Sequence, residues 1–134
     1  MPLKYEIIES KKLVYAKATG TVTFSDLMNH VAELCQDSKY KAPMKKLVDY
    51  RKIKTMDISM DEQKRFVEKK ASAKELFSGE KCAIVAPTDF GFALARVHAS
   101  LTGGAEWDTA TFRDFNEALI WLGIELDDAE LING

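Results

Sequence analysis

The stretch 82-CAIVAPTDFGFALARV-97 decides the fold. Its first five residues, Cys82 to Ala86, are apolar without a break, the pattern of a central strand covered on both faces. Pro87 stops the strand, and Thr88 or Asp89 offers a side-chain oxygen to cap a helix start. Gly91 lets the first helical turn pack closely. Phe90, Leu94, Val97 and Leu101 then recur at helical spacing, and Gly103-Gly104 ends that helix. The stretch is a strand, a tight turn and a helix in immediate succession.

It also contains Asp89-Phe90-Gly91, the tripeptide whose Asp holds magnesium in protein kinases. Kinase chemistry further needs a Gly-rich loop, a strand Lys and a His-Arg-Asp loop. None is present, and 134 residues are far too few for that fold. The tripeptide is local punctuation, with Phe90 opening the apolar stripe of the helix.

Working outward, the same alternation runs along the chain. Tyr5 to Ile8 alternates as a strand, and Glu9 to Lys12 is a polar turn. Leu13 to Thr19 is a second strand, ended by Gly20, so the two form an antiparallel hairpin. Phe24, Leu27, Met28, Val31, Leu34 and Cys35 then share one helical face. Thr23 and Asp26 open that helix as a capping box with the shorter acid. His30 lies at the edge of the stripe and is expected to be solvated. Lys46 to Tyr50 is a third strand, followed by a loop that reaches Ser59.

Ser59 and Glu62 form a second capping box. The helix they open is expected to run to about Phe77, with Gly79 as its stop. Its apolar stripe is thin, and Lys64, Arg65, Lys69, Lys70 and Lys74 crowd its outside among interleaved Glu, as on a solvated face. Glu106 to Phe112 alternates as a last strand. Asp114 caps a final helix whose stripe is Phe115, Ala118, Leu119 and Leu122, stopped by Gly123. An acidic tail, 124–134, follows and is expected to be loosely packed. One hairpin strand and four strand–helix units make an α/β domain over 1–134. Its sheet is mixed, mostly parallel and five-stranded, with four helices.

Composition bounds the function. Hydrophobic residues are 46% and charged residues 30%, with a net charge of −2, so no broad basic field exists for nucleic acid. Cys35 and Cys82 both fall in apolar runs. A pair of buried thiols suits a reducing, cytoplasmic setting. Two His and two Cys lack metal-ligand spacing, and no cofactor is called for. No apolar run approaches a membrane span.

At this level the chain resembles the STAS-like (SpoIIAA-like) fold of bacterial proteins, whose namesakes are sulfate transporters and anti-sigma-factor antagonists. The resemblance rests on Leu47-Val48-Asp49-Tyr50, on Gly91-x-x-x-x-Arg96 and on Phe112-Arg113-Asp114-Phe115-x-x-Ala118-Leu119-x-Trp121-Leu122-Gly123. It implies a non-enzymatic regulatory module that works through an unknown protein partner or as a homodimer. The antagonists carry an Asp-Ser-Ser-Gly type turn whose Ser is phosphorylated. Here only Ser59 stands near that place, and its capping role accounts for it. The alternative is a small-molecule or lipid-binding domain, by analogy of fold with Sec14-type domains.

In open α/β sheets, ligands bind beyond the carboxyl ends of the parallel strands, where helix N-termini favour anions. That edge supplies Thr21 and Thr23, then Asp49, Tyr50 and Arg51, then Thr88, Asp89 and Phe90, then Arg113 and Asp114. The ligand-binding candidates are Asp49, Arg51, Thr88, Asp89, Phe92 and Arg96. Arg96 sits on an Ala-rich helix face and needs a partner. Asp49 is the candidate, as a structural ion pair ahead of a ligand anchor. Phe92 and Trp121 fall off their helices' main stripes and are candidates for a pocket or subunit contact. His98 is a candidate base, yet no Ser or Cys nucleophile is identifiable beside it, and Ser100 is on another face of its helix. No catalytic set is identified.

Overall fold

The computed structural model describes residues 2–102 and 106–125. Strand β1 (Leu3–Ile8) pairs antiparallel with β2 (Leu13–Thr23) across a short 3-10 turn at Glu9–Lys11. Helix α1 (Phe24–Gln36) leads to β3 (Lys45–Asp57), and α2 (Met60–Ser72) and α3 (Lys74–Phe77) lead to β4 (Lys81–Val85). Helix α4 (Asp89–Ser100), β5 (Asp108–Phe112) and α5 (Phe115–Leu122) complete the order. The five strands lie in the order β1-β2-β3-β4-β5, parallel from β2 onward. This is the mixed, mostly parallel sheet expected from the alternation of periods.

The order has a consequence. Each crossover from β2 to β5 steps the same way, and right-handed crossovers that step one way lie on one face. Leu27, Val31 and Leu34 of α1, Phe66 of α2 and Ala95 of α4 accordingly share one core with Val14, Ala18, Cys82 and Ile84. Helix α5 folds back on the other face. It buries Ala118, Leu119 and Leu122 against Leu13, Tyr15, Leu47, Ala83 and Val85. Each large side chain so covered contributes ~1.5–3 kcal/mol.

The caps formed as read. Thr23 with Asp26 and Ser59 with Glu62 are complete capping boxes, and Thr88 and Asp114 cap α4 and α5. Gly123 stops α5 at φ 74°, a conformation that costs other residues 1–2 kcal/mol or so. Gly91 is where close approach was expected: a Cβ there would stand 3.0 Å from Thr88 Oγ1 and 3.5 Å from the Ala86 Cβ.

Several expectations need correction. Strand β2 passes Gly20 to Thr23, and β3 passes Tyr50 to Asp57, so the expected loop is strand. The two form a ribbon beyond the end of β4, with two register shifts beside Ala18 and Gly20. Ile53 and Met56 on this ribbon pack on the core and hold it there. The helix expected over 60–77 breaks at Ala73, giving five helices where four were expected. Phe77, fully buried, turns inward after the break.

Helix α1 is rotated from its expected phase. Leu27, His30, Val31 and Leu34 face the sheet, so His30 is buried and Cys35 is exposed. Lys70, expected outside, is buried. Helix α4 is turned further. The small pair Gly91 and Ala95 faces the sheet, because they let the helix sit close, while Phe90 is 54% exposed and Val97 36%. Gly103-Gly104 and most of the acidic tail lie outside the described residues.

Candidate functional site

At the carboxyl edge of the sheet, Asp49 ends the part of β3 that pairs with β4. It is buried. Tyr15 Oη donates to its Oδ2 at 2.5 Å, Arg51 Nη2 donates to Oδ2 at 2.8 Å, and Arg51 Nε and backbone N–H donate to Oδ1 at 3.0 and 2.9 Å. Burial alone would raise the Asp49 pKa. The Arg51 and Tyr15 hydrogen bonds outweigh it and hold the carboxylate below its usual range. Arg51 also lies 4.1 Å over the Phe115 ring. This carboxylate is saturated with donors, so it serves as a brace between β2, β3 and α5.

The other edge residues gather around Arg113. Asp89 Oδ1 accepts from Arg113 Nη1 at 2.6 Å, and Arg113 stacks 4.5 Å over Phe92. Asp89 and Arg113 are both well exposed, so their pair is worth under about 1 kcal/mol. Thr88 Oγ1 is taken up by the N–H of Gly91 at 3.0 Å. Arg96 stands exposed on α4, and the partners of Asp49 are Tyr15 and Arg51, so the expected Arg96–Asp49 pair is corrected. Ser59 is exposed at the start of α2. Trp121 packs on Phe112 and under Lys81. The edge thus brings Asp49 to Arg51, and Asp89 to Phe92 through Arg113.

A different place holds the unusual chemistry. Between the sheet and helices α1, α2 and α4 lies a partly open chamber of about 40 Å³. Strand alternation builds its floor. Lys46, Val48 and Tyr50 face it from β3, Ala16 and Ala18 from β2, and Cys82 and Ile84 from β4. The two alanines leave the room. Val22 and Met56 of the ribbon close one end, and His30, Phe66, Lys70 and His98 come from the helices above.

Four basic side chains in an apolar chamber are costly unless paired. Lys70 is paired: its Nζ lies 2.5 Å from Glu80 Oε1, with the rings of Trp107 and Phe77 at 4.7 and 5.1 Å. Tyr40 Oη donates to the Leu76 carbonyl at 3.1 Å and lies 3.4 Å from Glu80 Oε2. His98 Nδ1 lies 3.1 Å from Gln63 Oε1. His30 is buried, and neither ring nitrogen has a hydrogen-bond partner among the described residues. Its one ring contact is edge-on with Tyr5, at 5.3 Å. Lys46 is 5% exposed and has no carboxylate within ion-pair distance among the described residues.

Electrostatics follow. Burial, then the charges of Lys46 and Lys70, push His30 down to about 2 and, with Lys70 the nearer influence, His98 to about 3, so both rings are neutral. Burial and then Lys70 lower Lys46 to about 8. Cys82 lines the same chamber as His98, whose ring nitrogen is taken up by Gln63. Burial raises this thiol, so it stays protonated and a poor nucleophile. Lys46 was legible in principle, since it alternates in phase with Val48 and Tyr50 and so had to face the same core. His30 and Lys70 carried no such signal.

Among the described residues no group of three or more His, Cys, Asp or Glu could hold a metal, and no helix is long and apolar enough to cross a membrane. No protein-family model matches the sequence, and no curated protein does. Solved structures do. An uncharacterized protein of the DUF3478 family with a SpoIIAA-like fold, from Shewanella loihica PV-4, is 20% identical at a TM-score of 0.57, covering 90% of this chain and 91% of its own. The anti-sigma factor antagonist SpoIIAA in its unphosphorylated form is 13% identical at 0.55, covering 88% and 94%. In fold, the chain is a STAS-like, SpoIIAA-like domain.

Proposed function

We propose that this chain is a non-catalytic binding module that holds a small molecule in the chamber between the sheet and helices α1, α2 and α4. One observation carries the reading: His30 is buried with both ring nitrogens unbonded among the described residues, in a cavity it shares with Lys46, which has no ion-pair partner among them. Unsatisfied buried polar groups are rare and mark sites of function or strain. Apolar cavities with a few convergent polar groups are the usual form of a ligand site. The non-catalytic part rests on Cys82 being held as a thiol and on His98 being bonded to an amide rather than to a nucleophile. The site lies beneath the helices, away from the carboxyl edge where the strand–helix rule alone would place it.

The test is a thermal-shift and native mass spectrometry screen on the wild type and on Ala16→Leu, which fills the chamber floor. Compounds that raise Tm in the wild type and lose that effect in the filled variant are the expected result. A screen in which no compound binds, or every hit stabilises both proteins equally, overturns the reading.

A second reading, a protein-contact module, draws on α4. Phe90 and Val97 lie a helical repeat of seven apart on its outward face, and both are exposed. It expects self-association or a captured partner that is lost on Phe90→Glu with Val97→Glu. Sedimentation as a strict monomer, together with no enrichment in pull-downs, contradicts it.

A further inference from the structure

The charge around the chamber does not balance. Lys46 and Lys70 face it, while Glu80 is ion-paired with Lys70 and reaches Lys46 only through space, so the two ammonium groups exceed it by one positive charge among the described residues. Removing an ammonium from water is expensive unless an anion accompanies it. The neutral His30 ring offers one N–H donor and one acceptor, both unbonded. Water filling the chamber would satisfy His30 but leave the ammonium uncompensated. A dianion such as phosphate would reverse the imbalance rather than cancel it.

Size and lining narrow the choice further. A cavity of about 40 Å³ holds roughly three to four water-sized groups, at 10–15 Å³ for each. The remaining wall is hydrocarbon from Ala16, Ala18, Val48 and Ile84. A halide satisfies the charge but leaves that wall uncovered. A short acid satisfies both.

Building on the chamber reading, we propose that the ligand is a small monocarboxylate of about two to three carbons, on the size argument above. Its carboxylate is held by Lys46 Nζ and a His30 ring N–H, and its alkyl end lies against the alanine floor. Charge-assisted hydrogen bonds of this kind are the strong ones.

The experiment titrates the protein with acetate, propionate and butyrate, and with propanol, propylammonium, chloride and phosphate at matched ionic strength. Tm and the NMR shifts of the His30 ring and the Ala16 methyl are followed, in the wild type and in Lys46→Met. Propionate is expected to raise Tm and move both signals, and Lys46→Met to weaken it roughly tenfold or more, the worth of one charged hydrogen bond. Chloride and phosphate are expected to move neither signal. Propanol matching propionate, or Lys46→Met leaving propionate binding unchanged, overturns the carboxylate assignment. If propanol alone moves the His30 and Ala16 signals, the carboxylate class fails while the chamber reading stands. If no probe moves them, both fail. Should Lys46→Met not fold, the contrast of propionate with propanol in the wild type still decides.

Discussion

Lys70 and Glu80 form an ion pair inside the protein. Both are almost fully buried and are 2.5 Å apart. Lys70→Met leaves Glu80 charged and alone, and a broken buried pair costs about 3–5 kcal/mol. Adding Glu80→Leu to that variant is expected to recover most of the loss, because both members of the ion pair are then gone and no half-pair is left inside. Urea denaturation of the two variants checks this, and a double variant as weak as the single one contradicts it. The histidines act through pH. Their folded pKa values, about 2 and about 3, lie below the unfolded value near 6.5. The unfolded chain therefore binds protons that the native chain does not. Stability is whole above pH 6.5 and falls as pH drops below it, by up to about 1.4 kcal/mol per pH unit for each ring. Denaturation at pH 7.5 and 5.5 is expected to show that loss, with His98→Gln removing about half of it. A flat profile contradicts neutral rings at the buried His30 and the half-buried His98. Lys46 behaves alike in a higher window, stabilising as pH rises from about 8 toward 10.5.

Among the elements, local signals were read well where the chemistry is local. The capping boxes at Thr23 and Ser59 and the stop at Gly123 need only a few neighbouring residues. What stayed hidden depends on what an element packs against. The β2–β3 ribbon continues because Val22, Ile53 and Met56 find a core beyond the end of β4. Its alternation was visible, yet Gly20 and the lysines at 52 and 54 resembled a loop. No proline or glycine stands at the break between α2 and α3, so that break follows from burying Phe77. Helix α4 shows how phase is chosen. Its bulky row, Phe90 and Val97, was the obvious stripe, but the sheet accepts the small row of Gly91 and Ala95. Phe90→Glu is accordingly expected to change stability by no more than about 0.5 kcal/mol, as exposed positions do. Ala95→Leu, at a position with no exposure, is expected to cost about 1–3 kcal/mol by overpacking. Chemical denaturation of the two variants checks the phase, and the reverse ranking contradicts it.

For the whole molecule, alternation of periods was enough to specify the class and the parallel sheet. The single-direction strand order then explains why three crossover helices share one face while α5 covers the other. The chamber belongs to that crowded face. Its residues come from seven elements and from sequence positions 3 to 98, so no local motif announces it. The edge that general rules favour instead holds Asp49 fully bonded and Asp89 in an exposed pair. The most direct test of the central claim is a crystal structure of the protein grown with the compound that raises its Tm most. Density in contact with His30 and Lys46, beneath α1 and α2, is the expected result. Density only at the carboxyl edge, over Arg113 and Asp89, would contradict the account.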